Sequence, residues 1–149
     1  MPTYNMHFEI TTYSESDNGM HYAEDYSFWK RLIEHFLSGM DTFEIHCWED
    51  EQAVVDEIIQ QMKNVICRIE GKVLIVKGEM TDKAKNFLLS NPLNAAGQLK
   101  WFSVFLYCNG NILFSSEHYG TEFTGSGLNV EQKEFFISTL PEDISVLEW

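Results

Sequence analysis

Asn109-Gly110 separates two runs of strand-forming residues, 101–108 and 111–117. A two-residue hairpin loop needs positive φ at both positions, and Asn-Gly supplies that at least cost in a type I′ turn. The pair therefore predicts a tight hairpin and commits this part of the chain to antiparallel pairing. Residues 65–69 and 73–77 repeat the pattern around Gly71-Lys72. Residues 42–48 alternate, and residues 6–13 and 144–149 also read as strands.

Helical periodicity lies between these runs. Phe28, Trp29, Leu32, Ile33 and Phe36 line one side of a first helix that starts near Asp25 or Ser27 and ends at Gly39. Lys30, Arg31, Glu34 and His35 fall on its other side. A second helix follows Glu49-Asp50-Glu51, whose negative charge suits a helix N-terminus. Val54, Val55, Ile58, Ile59 and Met62 form its expected buried stripe, with Asp56, Glu57 and Gln60 pointing away. Thr81 can cap a third helix that Asn91-Pro92 stops, and Asn129 with Gln132 can cap a fourth that ends before Pro141. Residues 14–24 read as a polar loop and the Gly-rich residues 120–127 as a flexible connection. Hairpins with separately placed helices predict an α+β fold: a largely antiparallel sheet built from hairpins, with about four helices packed on it, in a single globular domain over residues 1–149.

Several chemistries fit poorly. Residues 14–25 have Gly19 where a calcium loop wants glycine, but serines where it wants carboxylates. Residues 120–127 echo a phosphate-binding loop, yet Ser126 replaces the required lysine and Glu122 opposes phosphate. None of His7, His21, His35, His46 and His118 stands at zinc-ligand spacing, so no metal or cofactor is expected. Glu44 and His46 share one strand face and could form an acid–base pair, although a partly exposed strand explains both. No catalytic motif occurs, and the chain reads as a non-enzyme. Cys47, Cys67 and Cys108 are widely spaced in apolar runs, as buried thiols of a reducing compartment would be. The first residues resemble no secretory signal and no apolar run approaches the ~20 residues of a membrane span, so a soluble cytoplasmic protein is expected.

Charge carries the functional reading. The first 62 residues hold 13 acidic side chains against Lys30 and Arg31, a balance of −11, whereas the remainder balances at −2 within the total of −13. Such a field repels nucleic acid and membranes and draws basic partners. Lys72, Lys77, Lys83 and Lys85 are too few to reverse it. The acids cluster as Glu15 with Asp17, Glu24 with Asp25, and Glu49, Asp50 and Glu51 with Asp56 and Glu57. Tyr22, Tyr26 and Trp48 lie beside them as candidate aromatic anchors. These side chains form the expected partner-binding surface.

The acidic, aromatic stretch Glu24-Asp25-Tyr26-Ser27-Phe28-Trp29 and the run Glu49-Asp50-Glu51, in a short α+β chain without catalytic motifs, resemble the immunity proteins of bacterial contact-dependent growth inhibition and other polymorphic toxin systems. The resemblance implies a cytoplasmic protein that binds and neutralises a cognate basic toxin domain, such as a nuclease. Two further readings stand beside it: an acidic nucleic-acid mimic or adaptor, and a small ligand-binding domain or enzyme with a pocket near His46 or His118.

Overall fold

The computed structural model describes residues 2–11, 13–15, 21–23, 25–142 and 144–149. In chain order the elements are β1 (Tyr4–Ile10), β2 (Tyr13–Glu15), β3 (His21–Ala23), α1 (Ser27–Leu37), β4 (Thr42–Trp48), α2 (Gln52–Gln61), β5 (Ile66–Glu70), β6 (Val73–Glu79), α3 (Asp82–Ser90), β7 (Ser103–Cys108), β8 (Asn111–Glu117), β9 (Glu122–Leu128), α4 (Val130–Thr139) and β10 (Ile144–Glu148). One eight-stranded sheet runs β10-β1-β9-β8-β7-β4-β6-β5. Every neighbouring pair in it is antiparallel. With the helices this is the α+β architecture that the hairpin signals predict.

Local chemistry sets the boundaries. Asn109 and Gly110 take φ 53° and 82°, the paired left-handed geometry of a type I′ turn, and join β7 to β8. Thr81 Oγ1 accepts from the Ala84 N–H at the start of α3. Asn129 and Gln132 form a reciprocal capping box on α4. The first helix is opened by Asp25, whose carboxylate accepts from both the N–H and the hydroxyl of Ser27.

All four helices among the described residues pack on one face of the sheet. That face is a mostly apolar row in register, broken by Ser116: Phe8 opposite Phe123, Phe123 opposite Ser116, Ser116 opposite Val104, Val104 opposite Ile45, Ile45 opposite Val76. Phe36 of α1 stacks on Phe114 at 4.8 Å, and Phe136 of α4 stacks on Phe8 at 4.4 Å. Trp29 is buried among them, its indole N–H donating to Ser116 Oγ at 3.0 Å. Over the β4–β6 end, Ile58 of α2 and Ala84 and Leu88 of α3 close the core. Because side chains alternate along a strand, the intervening residues fall on the opposite face, which no described helix covers.

Four expectations need correction. Residues 122–128 are not a flexible connection but the inner strand β9, held between β1 and β8. Gly125 fits there because a side chain would meet Leu128 Cδ1 at 2.6 Å. Residues 13–15 and 21–23 do not loop freely; they form the small hairpin β2–β3, which takes the first strand's expected end away from β1. Ile59 is 56% exposed instead of completing the α2 stripe. Of the three thiols, Cys47 is buried but Cys67 is exposed, because β5 is a sheet edge. No helix among the described residues is long and apolar enough to cross a membrane.

Candidate functional site

Strand direction brings residues that the sequence keeps apart to one end of the sheet. β1, β4 and β8 run toward that end and β9 starts from it, so Glu9, Glu122 and Glu117 stand there on adjacent strands, with Trp48 two strands beyond Glu117. Glu49 and Asp50 follow Trp48 directly and are exposed. Asp25 reaches the same end through Tyr26, whose hydroxyl accepts from the Ala23 N–H and donates to the Tyr119 carbonyl in the β8–β9 connection. The Asp25 carboxylate is exposed, and its bonds from Ser27 hold its pKa below the usual range.

Glu51 is the pivot of this end. Its Oε1 accepts from the Trp48 N–H at 3.1 Å. The Tyr119 hydroxyl donates to its carboxylate and is also hydrogen-bonded to the hydroxyl of Tyr22, whose ring lies 4.7 Å from that of Tyr119. The β2–β3 hairpin is therefore latched to the N-terminus of α2 through two phenols. Burial raises the Glu51 pKa, and the charge of Asp50 adds to the rise, against the lowering effect of the two hydrogen bonds. Burial likewise pushes Tyr26 up to about 12.

A stability–pH relation follows from Glu51. Its folded-state pKa lies above the unfolded one, so protonation favours the fold. The contribution is complete below the ordinary glutamate range and is lost as pH rises through the raised value. Glu51→Gln, which keeps an acceptor oxygen but no charge, should therefore gain stability relative to the parent as pH rises across that window. Urea midpoints measured at a series of pH values check this; a difference that stays flat with pH contradicts the buried carboxylate.

The expected site residues divide as follows. Asp25, Glu49 and Asp50 are exposed at the shared end, and Asp56 is exposed farther along α2, where Gln52 Nε2 donates to it at 2.7 Å. Tyr22 and Tyr26, expected as surface anchors, are instead 8% and 5% exposed, because the hairpin folds them against Tyr119. Glu57, expected to point away, takes both its oxygens to Lys100 Nζ at 2.9 and 3.0 Å. Trp48 is half-buried against Phe102 at 5.2 Å, and its indole N–H has no partner among the described residues. Glu15 lies in β2, while Asp17 and Glu24, like most of the calcium-loop echo, lie outside the described residues.

On the uncovered sheet face, His46 Nε2 lies 2.7 Å from Glu44 Oε2, and the ring sits 4.9 Å from that of Phe105. Glu44 is buried beneath its neighbours although no helix covers it. The same face carries residues that sequence spacing did not bring forward. Glu9, Glu122 and Glu117 are direct cross-strand partners on three adjacent strands. His7 Nδ1 is hydrogen-bonded to Thr124 Oγ1 at 2.9 Å in the neighbouring row. The signal that could have found them is alternation in β1, where His7 and Glu9 share a face; their partners follow only from the strand order.

Two surface grooves flank Asp25. One, of about 460 Å³, runs between α1 and the end of α4 past Phe28, Arg31 and Glu142; the other, of about 560 Å³, passes Lys30, Asn91 and Leu93. Neither contains His46 or His118. No protein family, curated protein or solved structure matches this chain.

Proposed function

We propose that this protein is a dedicated binding protein that neutralises a basic partner protein, in the manner of an immunity protein seated on a toxin domain such as a nuclease. The observation that supports the reading is that Asp25, Glu49, Asp50, Glu9, Glu117 and Glu122 all lie at the same end of the sheet, across several strands and both of its faces. Carboxylates of separate segments then act as one field. Such a field speeds encounter with a basic surface and sets register, while close contacts fix the lifetime of the complex. Half-buried Trp48, beside Glu49 and Asp50, is an aromatic that a partner can still reach.

The test uses Glu49→Lys combined with Asp50→Lys. Both side chains are exposed, so the substitutions leave the core intact. Tagged parent chain should capture a single basic protein from the lysate of its own source and hold it through a high-salt wash. The doubly reversed chain should bind that protein at least about tenfold more slowly, with a flatter salt dependence. Unchanged association and salt response in the variant reject this face as the binding surface. Release of many basic proteins by salt would favour mimicry of nucleic acid.

A further inference from the structure

We propose that His7, Glu9 and Glu122 form a binding site for a divalent transition-metal ion of the zinc class, on the uncovered face where β1 meets β9. One ligand atom from each of these residues lies within 4.8 Å of the other two. Tetrahedral zinc, with bonds of about 2.0–2.2 Å, places its ligand atoms about 3.4 Å apart. Small side-chain rotations close that difference, because the strand register has already set the backbone: Glu9 is directly opposite Glu122, and His7 directly opposite Thr124.

Three observations point to a cation here. The first is electrostatic. Glu9, Glu122 and Glu117 stand in a single cross-strand row, and like charges directly opposite one another destabilise a sheet. Among the described residues the ion pair in this row is His118 Nδ1 with Glu122 Oε2 at 3.0 Å, and no lysine or arginine is paired with any of the three. The second is the setting of His7. The hydrogen bond between its Nδ1 and Thr124 Oγ1 fixes the ring plane and engages one ring nitrogen, so that Nε2 is left for a ligand; a metal-bound imidazole is likewise oriented through its second nitrogen. The third is the placement of His118, which the left-handed residues 118–120 carry back over Glu122. There it orients the carboxylate as an outer partner.

Donor chemistry selects the ion. One imidazole with two carboxylates suits zinc or a similar transition metal, whereas magnesium and calcium prefer oxygen ligands alone. With protein ligands at three positions, a fourth remains for water or a further group. The ion would clip β1 to β9 and discharge the glutamate row. Glu9 and Glu122 also belong to the acidic end proposed above to meet a partner, but zinc binding is read directly here and does not rest on that function.

The experiment titrates chelator-treated full-length protein with ZnCl2 and, separately, MgCl2, by calorimetry and thermal unfolding. A Cys67→Ser, Cys108→Ser background removes the more accessible thiols that would compete for zinc. We expect one zinc per chain, a zinc-dependent rise in Tm, and no response to magnesium. His7→Gln and Glu122→Gln should each weaken zinc binding at least tenfold, while His46→Gln leaves it unchanged. Metal-free Glu122→Gln should also match or exceed its parent in Tm, because it removes a charge from the glutamate row. Absence of zinc binding overturns the site. So does zinc binding that His7→Gln, Glu9→Gln and Glu122→Gln all leave intact; circular dichroism establishes that each variant is folded.

Discussion

Phe136→Ala should cost about 3–5 kcal/mol of folding stability, the range seen when a large buried aromatic is truncated. The residue is fully buried and stacks on Phe8 at 4.4 Å, with the rings of Phe36, Phe114 and Phe123 at 5.2, 5.7 and 6.4 Å. It is the buried residue of α4, so its removal leaves that helix little apolar surface with which to hold the sheet. Typical domains are stable by only roughly 5–15 kcal/mol, so the variant should retain a small margin at best. Equilibrium urea denaturation measures the loss. Ile137→Ala, one residue along and 46% exposed, is the matched control and should stay within about 0.5 kcal/mol of the parent. Equal losses in the two variants would contradict the packing of α4 described above.

The second large effect belongs to Gly120→Val. Gly120 has φ +73°, and a Cβ there would lie 2.9 Å from Leu99 Cδ2, 3.1 Å from Tyr26 Cε1 and 3.3 Å from Trp29 Cδ1. A β-branched residue in that conformation carries about 1–2 kcal/mol of backbone strain, and crowding in a packed site adds about 1–3 kcal/mol. The combined loss should be about 2–5 kcal/mol. Trp29 borders the site, so its fluorescence should shift along with the urea midpoint. Gly127, also left-handed at φ +66° but with nothing within 4 Å, separates strain from crowding: its valine variant should lose only the strain part. Similar losses at both positions would place the cost in the backbone alone.

Much of the local structure was legible because its causes are local. Asn109-Gly110, Thr81 and the Asn129–Gln132 box each act within four residues, and each stands where its chemistry predicts. The buried side of α1 was readable for the same reason, as Phe28, Trp29, Leu32, Ile33 and Phe36 recur at helical spacing. What escaped depends on partners distant in the chain. Glycine and threonine in residues 120–127 have the composition of a loop, and only burial between β1 and β8 makes them a strand. Tyr22 and Tyr26 sit among polar residues and read as exposed until Tyr119 is placed against them. Glu57 reads as a solvated helix residue until Lys100, 43 positions later, is set beside it. The glutamate row is invisible in sequence for a related reason: its members lie on strands whose order is known only once the sheet is assembled.

That order has a consequence for how the chain is made. β1 lies between β9 and β10, with Phe8 opposite Phe123 on one side and Val146 on the other. When a ribosome has released residues 1–74, Met6, Phe8 and Ile10 have no strand to pair with, and Trp101, Phe114, Tyr119, Phe123 and Phe136 of the aromatic core have not been synthesised. Closing such distant pairs is entropically slow, so native structure should arrive late and nearly all at once. A nascent chain of this design carries Phe8 without its neighbours until both Phe123 and Val146 have been made.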